Sequence, residues 1–408
     1  MKDLANRIFR GDRVIWMIFL FLCLISIIEV YSASSRLTFT THYWQPIMKH
    51  TMFLLTGAVI VLLVHSMTPK YLWVFVVMLP FVWLLLIATQ FMGHTVNGAN
   101  RYIFGFQPSE LAKLSLISCV AFILSRQNRI SESLSFKWIC ILTGITCLLI
   151  FRDNLSTAAI LYLVIIIMMF VGQVSFKRIA LLISVTFAAI ALLFAFAWFY
   201  PEKAQDIGFK RLVTWESRLG NFKQQPEITK NGKIPDEMFQ AVMAKVALTR
   251  GGVIGTMPGN SHLSDFLPQA YSDFIYAIII EETGILGGIF VLVLYVILFI
   301  RAGTIAGRCT KLFPKLLVMG CALIMVIQAL VNMAVSVGLM PVTGQPLPLV
   351  SRGGSSILTT CVYIGIILSV SRFENPRGVR QEVAYEEEFE EERRLANVNE
   401  QLEAEVVY

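Results

Sequence analysis

The stretch FLPQAYSDFIYAIIIEE, residues 266–282, places three carboxylates, Asp273, Glu281 and Glu282, in an apolar segment. Asp273 lies near the predicted start of a helix, where the helix dipole favours the charged carboxylate and where Ser272 can cap the helix. A charged carboxylate at this position can take a proton from a substrate hydroxyl, and capping by Asp273 itself is the competing interpretation. Glu281 and Glu282 lie two turns deeper and are predicted to face the protein interior, paired or protonated, in a structural role.

A second polar group lies in NGANRYIFGFQPSELAK, residues 97–113. Pro108 predicts a helix start with Glu110 in the first turn. Glu110 and Lys113 are three residues apart and therefore share one helix face. Because an ammonium group inside a membrane needs a partner, Lys113 either forms a local ion pair or binds a substrate phosphate with Glu110 orienting it. Arg101 is predicted to lie outside the membrane, where it can bind an anion.

The third group is GLMPVTGQPLPLVSRGGSS, residues 338–356, which has three prolines and four glycines between two apolar segments. Non-helical backbone at membrane depth is tolerated only where protein or a watery cavity satisfies its polar groups. Ser351, Arg352 and Gly353 can present N–H groups and a guanidinium to phosphate. A simple loop is the competing interpretation.

Arg152 and Asp153, in FRDNLSTA, form a fourth group on the predicted outer side. We interpret them as a surface ion pair. Taken together, the outward cations and the outward acid indicate an anionic, hydroxyl-bearing substrate that is reached from the outer leaflet.

The elements that must position these residues are membrane spans. The chain has 408 residues, of which 56% are hydrophobic and 15% charged, and its mean hydropathy is +0.69. A span needs about 20 apolar residues, and this rule predicts about ten spans in an all-α polytopic membrane protein. They lie near 14–33, 47–67, 70–91, 109–126, 136–151, 155–172, 178–200, 270–300, 315–340 and 354–371.

The seven cysteines and five histidines show neither a disulfide framework nor the spacing of a metal site. The basic N-terminus before the first span has no small-residue cleavage site, which indicates a retained signal anchor.

Lysines and arginines are concentrated on alternate connections, which places both termini in the cytoplasm. Residues 381–408 carry a net charge of −8, so the rest of the chain carries +15. We assign this excess to cytoplasmic loops and not to nucleic-acid binding. The predicted organisation is a transmembrane domain over 1–373, with an extracytoplasmic loop over 201–269 between the seventh and eighth spans, and an acidic cytoplasmic tail over 374–408.

The motifs, taken together and in order, resemble the SEDS family, which contains FtsW, RodA and SpoVE. The resemblance extends to about residue 373 and includes VYSASS at 30–35, NGANRYI from Asn97, FQPSELAKL, DNLSTA, FLPQAYSDFIYAIIIEETGILG and LMPVTGQPLPLVSRGGSS. The tripeptide GNS at 259–261 favours the FtsW branch over the RodA branch.

This resemblance implies a peptidoglycan glycosyltransferase that polymerises lipid II, a disaccharide-pentapeptide on undecaprenyl pyrophosphate, at the outer face of the bacterial cytoplasmic membrane. A septal role in cell division is expected, with a class B penicillin-binding protein (a transpeptidase) and other division proteins as partners. The essential aspartate of the family matches Asp273, which is expected to act as a base on the acceptor sugar in an inverting reaction. Arg101, Lys113 and Arg352, or a bound Mg²⁺ or Mn²⁺ ion, are expected to offset the leaving-group charge.

The sequence departs from the family pattern beside these residues. Gln269, Tyr271 and Ser272 replace the usual Glu, His and Thr, so Asp273 loses two titratable neighbours. Asn154 replaces an Asp. Arg352 replaces a Tyr and adds positive charge near the expected donor site.

Two other functions remain open at this point. A lipid II flippase would need polar groups on both sides of the membrane, whereas those of this chain concentrate in the outer half. A non-catalytic scaffold for the division machinery would not need Asp273. A solute transporter of the common kind would show an inverted repeat, and we find none in the sequence.

Overall fold

The computed structural model describes residues 10–32, 45–92, 94–96, 99–103, 105–127, 129–152, 154–199, 220, 236–261 and 270–373. Asn97, Asp153, Gln269, the acidic tail and most of the loop over 201–235 therefore lie outside the described residues.

The described part is helical, with one small hairpin. Its helices are α1 (Arg13–Ser32), α2 (Gln45–Ser66), α3 (Val74–Met92), α4 (Pro108–Ser125), α5 (Glu132–Phe151), α6 (Leu155–Val171), α7 (Phe176–Phe199), α8 (Asp236–Gly251), α9 (Ala270–Asp273), α10 (Ile275–Arg308), α11 (Leu312–Ser336) and α12 (Gly354–Phe373). A 3₁₀ helix, Pro69–Trp73, precedes α3. Among the described residues, eight helical segments are long and apolar enough to cross a membrane. The all-α polytopic fold is thus confirmed, and an apolar helix lies at each of the ten predicted positions.

The hairpin was not predicted. Strands β1 (His94–Val96) and β2 (Ala99–Tyr102) pair antiparallel, with Val96 opposite Ala99 and an irregularity next to His94. They follow α3 and place Arg101 on the second strand. Each strand is too short for the alternating pattern that identifies strands in a sequence.

Local sequence explains where several helices begin. Pro108 is at the first position of α4, where its missing N–H group is not needed. The side chain of Ser131 accepts a hydrogen bond from Leu134 N at the start of α5, and that of Asn154 accepts one from Thr157 N at the start of α6. Asp12 caps α1 through bonds from Val14 N and Ile15 N.

Three helices form the centre of the bundle. In α4, α11 and α12, 78% of the apolar window is buried, against 28% in α2, α3 and α5. Glycines allow close helix packing where the centre meets its neighbours. A Cβ atom at Gly320 of α11 would collide with Ile117 of α4 and Met168 of α6, and one at Gly57 of α2 would collide with Cys361 of α12.

The predicted eighth span, 270–300, differs from the structure at both ends. The helix α10 runs from Ile275 to Arg308, and Gly284 within it has φ 75° and ψ −179°. Its 34 residues are about 51 Å long at 1.5 Å per residue, which exceeds the roughly 30 Å of hydrocarbon in a bilayer. The nine residues before Gly284 therefore form a separate N-terminal piece of α10.

Candidate active site

Asp273 is the last residue of the short helix α9, and Phe274 separates it from α10. The Ser272 hydroxyl donates to Asp273 Oδ1 at 2.9 Å, and both side chains are half-buried. The predicted capping role of Ser272 is wrong, because the N-cap residue of α10 is Phe274. Ser272 instead orients the Asp273 carboxylate through this hydrogen bond.

The backbone around Asp273 is held by two buried polar side chains. The amide nitrogen of Asn332, on α11, donates to the carbonyl oxygen of Asp273 at 3.0 Å and to that of Gln345 at 2.7 Å. The hydroxyl of Ser351 donates to the carbonyl oxygen of Ser272 at 2.6 Å and accepts from Leu347 N at 2.7 Å. The carbonyl groups of Ser272 and Asp273 are therefore both linked, through these side chains, to the connection between α11 and α12.

That connection, the proline-rich segment (residues 341–352), contains no helix or strand, yet five of its carbonyl groups accept hydrogen bonds from side chains of the protein. The donors come from four helices: Ser156 on α6 to Thr343 O, Asn332 and Gln328 on α11 to Gln345 O and Pro346 O, Tyr295 on α10 to Pro348 O, and Ser26 on α1 to Val350 O. His50 of α2 is bonded to Ser26 in turn. The prolines contribute no N–H groups that would need acceptors. The physical condition for irregular backbone at membrane depth is met by side chains.

Two backbone conformations in the proline-rich segment bear on the site. Gly344 has φ +66°, and a Cβ atom there would lie 3.6 Å from Asp273 Oδ2. Leu349, which is buried, has φ +65°. Such a conformation costs a residue with a side chain about 1–2 kcal/mol. The glycine keeps the backbone close to the carboxylate without strain.

Lys113 is buried in the structure. Its ammonium nitrogen lies 2.9 Å from Glu110 Oε1 and 2.9 Å from Gln328 Oε1, and its side chain is 1% exposed. The local ion pair is thus formed, and it continues through Gln328 to Pro346 O at 3.0 Å. In this arrangement Lys113 supports the proline-rich segment and presents no charge at the surface.

Arg352 and Arg152 lie nearer the surface than Lys113. Arg352 directly follows Ser351 and is half-buried, as is Gly353. Arg101 belongs to β2, and its side chain lies outside the described part. Arg152 donates to Gln90 Oε1 at 3.0 Å.

Glu281 and Glu282 are both 1% exposed, and the residues that bind them come from the segment 259–261 and from α1. The Ser261 hydroxyl donates to Glu281 Oε2 at 2.6 Å, and Gly259 N and the Ser32 hydroxyl donate to Glu282 Oε1. The two carboxylates lie beside the break at Gly284, in the N-terminal piece of α10.

The turn after α8 (residues 252–261) also bonds the backbone at this break. Thr256 N and Met257 N donate to the carbonyl oxygens of Glu281 and Glu282 at 3.0 and 2.9 Å, and Ile285 N donates to Gly252 O at 3.0 Å. A Cβ atom at Gly284 would collide with the backbone of Val253 and Ile254. The turn thus replaces the helical hydrogen bonds that the break removes.

Sequence reasoning did not find Gln328, Asn332 or Gln345. A signal was present for the first two, because two amide side chains four residues apart share one face of an otherwise apolar helix. Gln345 carried no such signal. It donates to Thr157 Oγ1 at 2.9 Å and to the Asn154 side chain at 3.5 Å, and both partners are distant in sequence.

The donor set near Asp273 does not fit a metal ion held by protein alone. No three His, Cys, Asp or Glu side chains among the described residues are grouped closely enough to hold one. Asn154, where a carboxylate was expected, serves as the N-cap of α6.

Comparison with known proteins gives a consistent result. Residues 12–376 match the family model for the FtsW/RodA/SpoVE group, described as cell cycle proteins. A protein of Marinobacter nauticus named "Probable peptidoglycan glycosyltransferase FtsW" is 35% identical over 72% of this chain and 71% of its own length. One of the same name from Saccharophagus degradans is 32% identical over 85% of this chain and 89% of its own.

Two solved structures share the fold. A chain from a study entitled "Structural coordination of polymerization and crosslinking by a peptidoglycan synthase complex" has a TM-score of 0.67 and 22% identity, over 90% of this chain and 99% of that one. The rod shape determining protein RodA of Thermus thermophilus has a TM-score of 0.63 and 22% identity, over 90% and 98%.

Proposed function

The chain belongs to the FtsW/RodA/SpoVE family, and we propose that it is a peptidoglycan glycosyltransferase that polymerises lipid II into glycan strands for septal wall synthesis. The observation that carries this proposal is Asp273. It is a half-buried carboxylate that Ser272 orients, on a backbone that Asn332 and Ser351 hold. A base fixed in this way can accept a proton from a hydroxyl that arrives at the surface.

In the proposed step, the 4-hydroxyl oxygen of the acceptor sugar attacks the anomeric carbon of the growing chain. Its proton passes to Asp273, the bond from the anomeric carbon to the pyrophosphate oxygen breaks, and undecaprenyl pyrophosphate leaves with the bonding electrons. Attack opposite the leaving group inverts the anomeric centre. Ser272 donates to Asp273 Oδ1, and Asp273 Oδ2 lies on the side of Gly344.

Positive charge for the leaving pyrophosphate comes from Arg352 and Arg101 in this proposal. Arg352 is adjacent to Ser351, whose hydroxyl bonds Ser272 O, so its backbone lies next to the base. Lys113 contributes indirectly: with Glu110 it holds Gln328, which holds Pro346 O. A bound Mg²⁺ or Mn²⁺ ion is the alternative source of this charge.

The proposed topology places both termini in the cytoplasm and the site at the outer face, following the distribution of lysine and arginine. The proposed partner is a class B penicillin-binding protein, because the structurally similar chain comes from a complex that couples polymerisation to crosslinking. Other division proteins are expected to join this complex.

The test uses the purified full chain with its cognate transpeptidase and labelled lipid II, with products separated on a gel. We expect long strands from the wild type and none from Asp273→Asn, which keeps the side-chain shape but is not a base. Asp12→Asn, at the other end of the bundle, is the matched control and should still polymerise.

Strands of equal length from wild type and Asp273→Asn would show that Asp273 is structural. A wild type that makes no strands but moves lipid II across liposome membranes would support the flippase. A wild type that does neither, while still binding its partner, would support the scaffold.

A further inference from the structure

A cavity of about 360 Å³ lies at the end of α10 opposite to Asp273. Its walls come from the segment before α1, the end of α10 and the end of α12, and it is lined by Gly11, Asp12, Arg13, Arg301, Arg308 and Ser371 among others. None of these residues belongs to the proposed active site.

The base of the cavity is preorganised by an ion pair. Arg301 is bonded to Asp12 through Nη2 and, at 3.4 Å, through Nε. The Asp12 carboxylate also accepts from Val14 N at 2.9 Å and Ile15 N at 3.2 Å, and its side chain is 6% exposed. The Asp12 carboxylate is therefore occupied by donors from the protein. Arg301 has five N–H donors and retains some of these N–H groups for a ligand.

The remaining charges in the cavity are positive. Arg13 and Arg308 are exposed, and among the described residues neither has an acidic partner within ion-pair distance. With Arg301 and Asp12 included, the lining has two more positive than negative charges. Arginine binds phosphate oxygens in a bidentate manner, so the chemistry of the cavity suits a phosphate group.

The depth of the cavity suits a lipid. Arg301 is 17 residues, about 25 Å, along α10 from the break at Gly284, and Arg308 is about 36 Å from it. Since bilayer hydrocarbon is about 30 Å thick, these residues lie at the inner headgroup level. Met17 of α1 is 51% exposed and Ile300 of α10 is 60% exposed, which provides apolar surface for acyl chains beside the cavity.

A turn at Gly11 forms part of the cavity wall. Gly11 has φ +95°, and a Cβ atom there would lie 3.1 Å from Leu368 O and 3.6 Å from the Ser371 hydroxyl of α12. The chain can therefore pass closely over the end of α12 only with glycine at this position.

We propose that this cavity binds the phosphate headgroup of an anionic phospholipid of the inner leaflet. Arg301, Arg308 and Arg13 contact the phosphate, and Asp12 holds Arg301 in place. Basic pockets between membrane helices on the cytoplasmic side are suited to such headgroups.

The experiment is native mass spectrometry of the detergent-purified full chain with phosphatidylglycerol or with phosphatidylethanolamine of identical acyl chains. We expect preferential retention of phosphatidylglycerol by the wild type and a fall of about tenfold or more for Arg13→Gln/Arg308→Gln. Arg308→Lys, which keeps the charge, should retain most of the binding. Arg129→Gln removes an exposed arginine outside the cavity and should not change it.

Equal phosphatidylglycerol retention by the wild type and the double variant would overturn the proposal, as would equal losses in the double variant and Arg129→Gln. Displacement of the bound species by millimolar inorganic phosphate alone would show a free-phosphate site and overturn the lipid assignment. Retention that appears only after removal of residues 374–408 would show that the acidic tail occupies the cavity, and the proposal would fail.

Discussion

The side-chain amide of Asn332 donates to the carbonyl oxygen of Asp273 at 3.0 Å, although the two residues are 59 positions apart. The same nitrogen donates to Gln345 O at 2.7 Å. One buried amide thus joins the proposed base to the proline-rich segment, and the position of Asp273 depends on a residue of α11.

Replacing Asn332 by Ala should lower kcat for strand synthesis more than it raises KM. Two buried carbonyl groups lose their donor, at a cost of about 1–3 kcal/mol each, and the backbone at Asp273 is released. Steady-state kinetics with lipid II checks this. Asn260→Ala, which removes an exposed amide bonded to Thr256 O, is the control with little expected effect. An unchanged kcat in Asn332→Ala would contradict the positioning role.

Replacing Lys113 by Met should destabilise the protein by about 3–5 kcal/mol, because it leaves the Glu110 carboxylate buried without its partner. Adding Glu110→Gln should recover part of the loss. Thermal unfolding in detergent measures both. Arg178→Met, which breaks the exposed pair with Glu132, should have a much smaller effect. A stable Lys113→Met protein that makes no strands would instead assign Lys113 to the substrate phosphate.

Replacing Gly284 by Ala should lower the unfolding temperature, and the site should lose activity with it. The residue has φ 75°, and a Cβ atom would collide with the turn after α8, so the strain costs about 1–3 kcal/mol or more. Gly303→Ala in the same helix meets open space and should be neutral or slightly stabilising. Equal unfolding temperatures for the two variants would show that the break tolerates a side chain.

Replacing Arg352 by Gln should reduce kcat by about tenfold or more, because the charge next to the base is lost in the transition state. Arg352→Lys should recover part of the rate, and the folded fraction should be the same in all three proteins. Single-turnover measurement of strand initiation separates this effect from binding. If Arg352→Gln polymerises normally, the positive charge must come from elsewhere, with Arg101 as the next residue to test.

The helices were predictable because their signals are local. Apolar length predicted the spans, Pro108 marked the start of α4, and the spacing of Glu110 and Lys113 made their pairing one of two interpretations. The contacts that shape the site are not local. Ser351 was predicted to present its N–H group to phosphate, yet this N–H donates to Leu347 O at 2.9 Å, and the hydroxyl bonds Ser272 O and Leu347 N. Gly284 has the sequence context of an ordinary helical glycine, and its requirement for glycine comes from the turn after α8, which packs against it.

The break at Gly284 has a mechanical consequence. Because the helical ladder is interrupted there, the turn over residues 252–261 helps to hold the N-terminal piece of α10 through its bonds to Glu281, Glu282 and Ile285. The backbone at Ser272 and Asp273 is held separately, by Ser351 and Asn332. A partner that displaced the turn would therefore loosen the N-terminal piece while the base stays tied to α11 and the proline-rich segment, so the two supports of the site can be released independently.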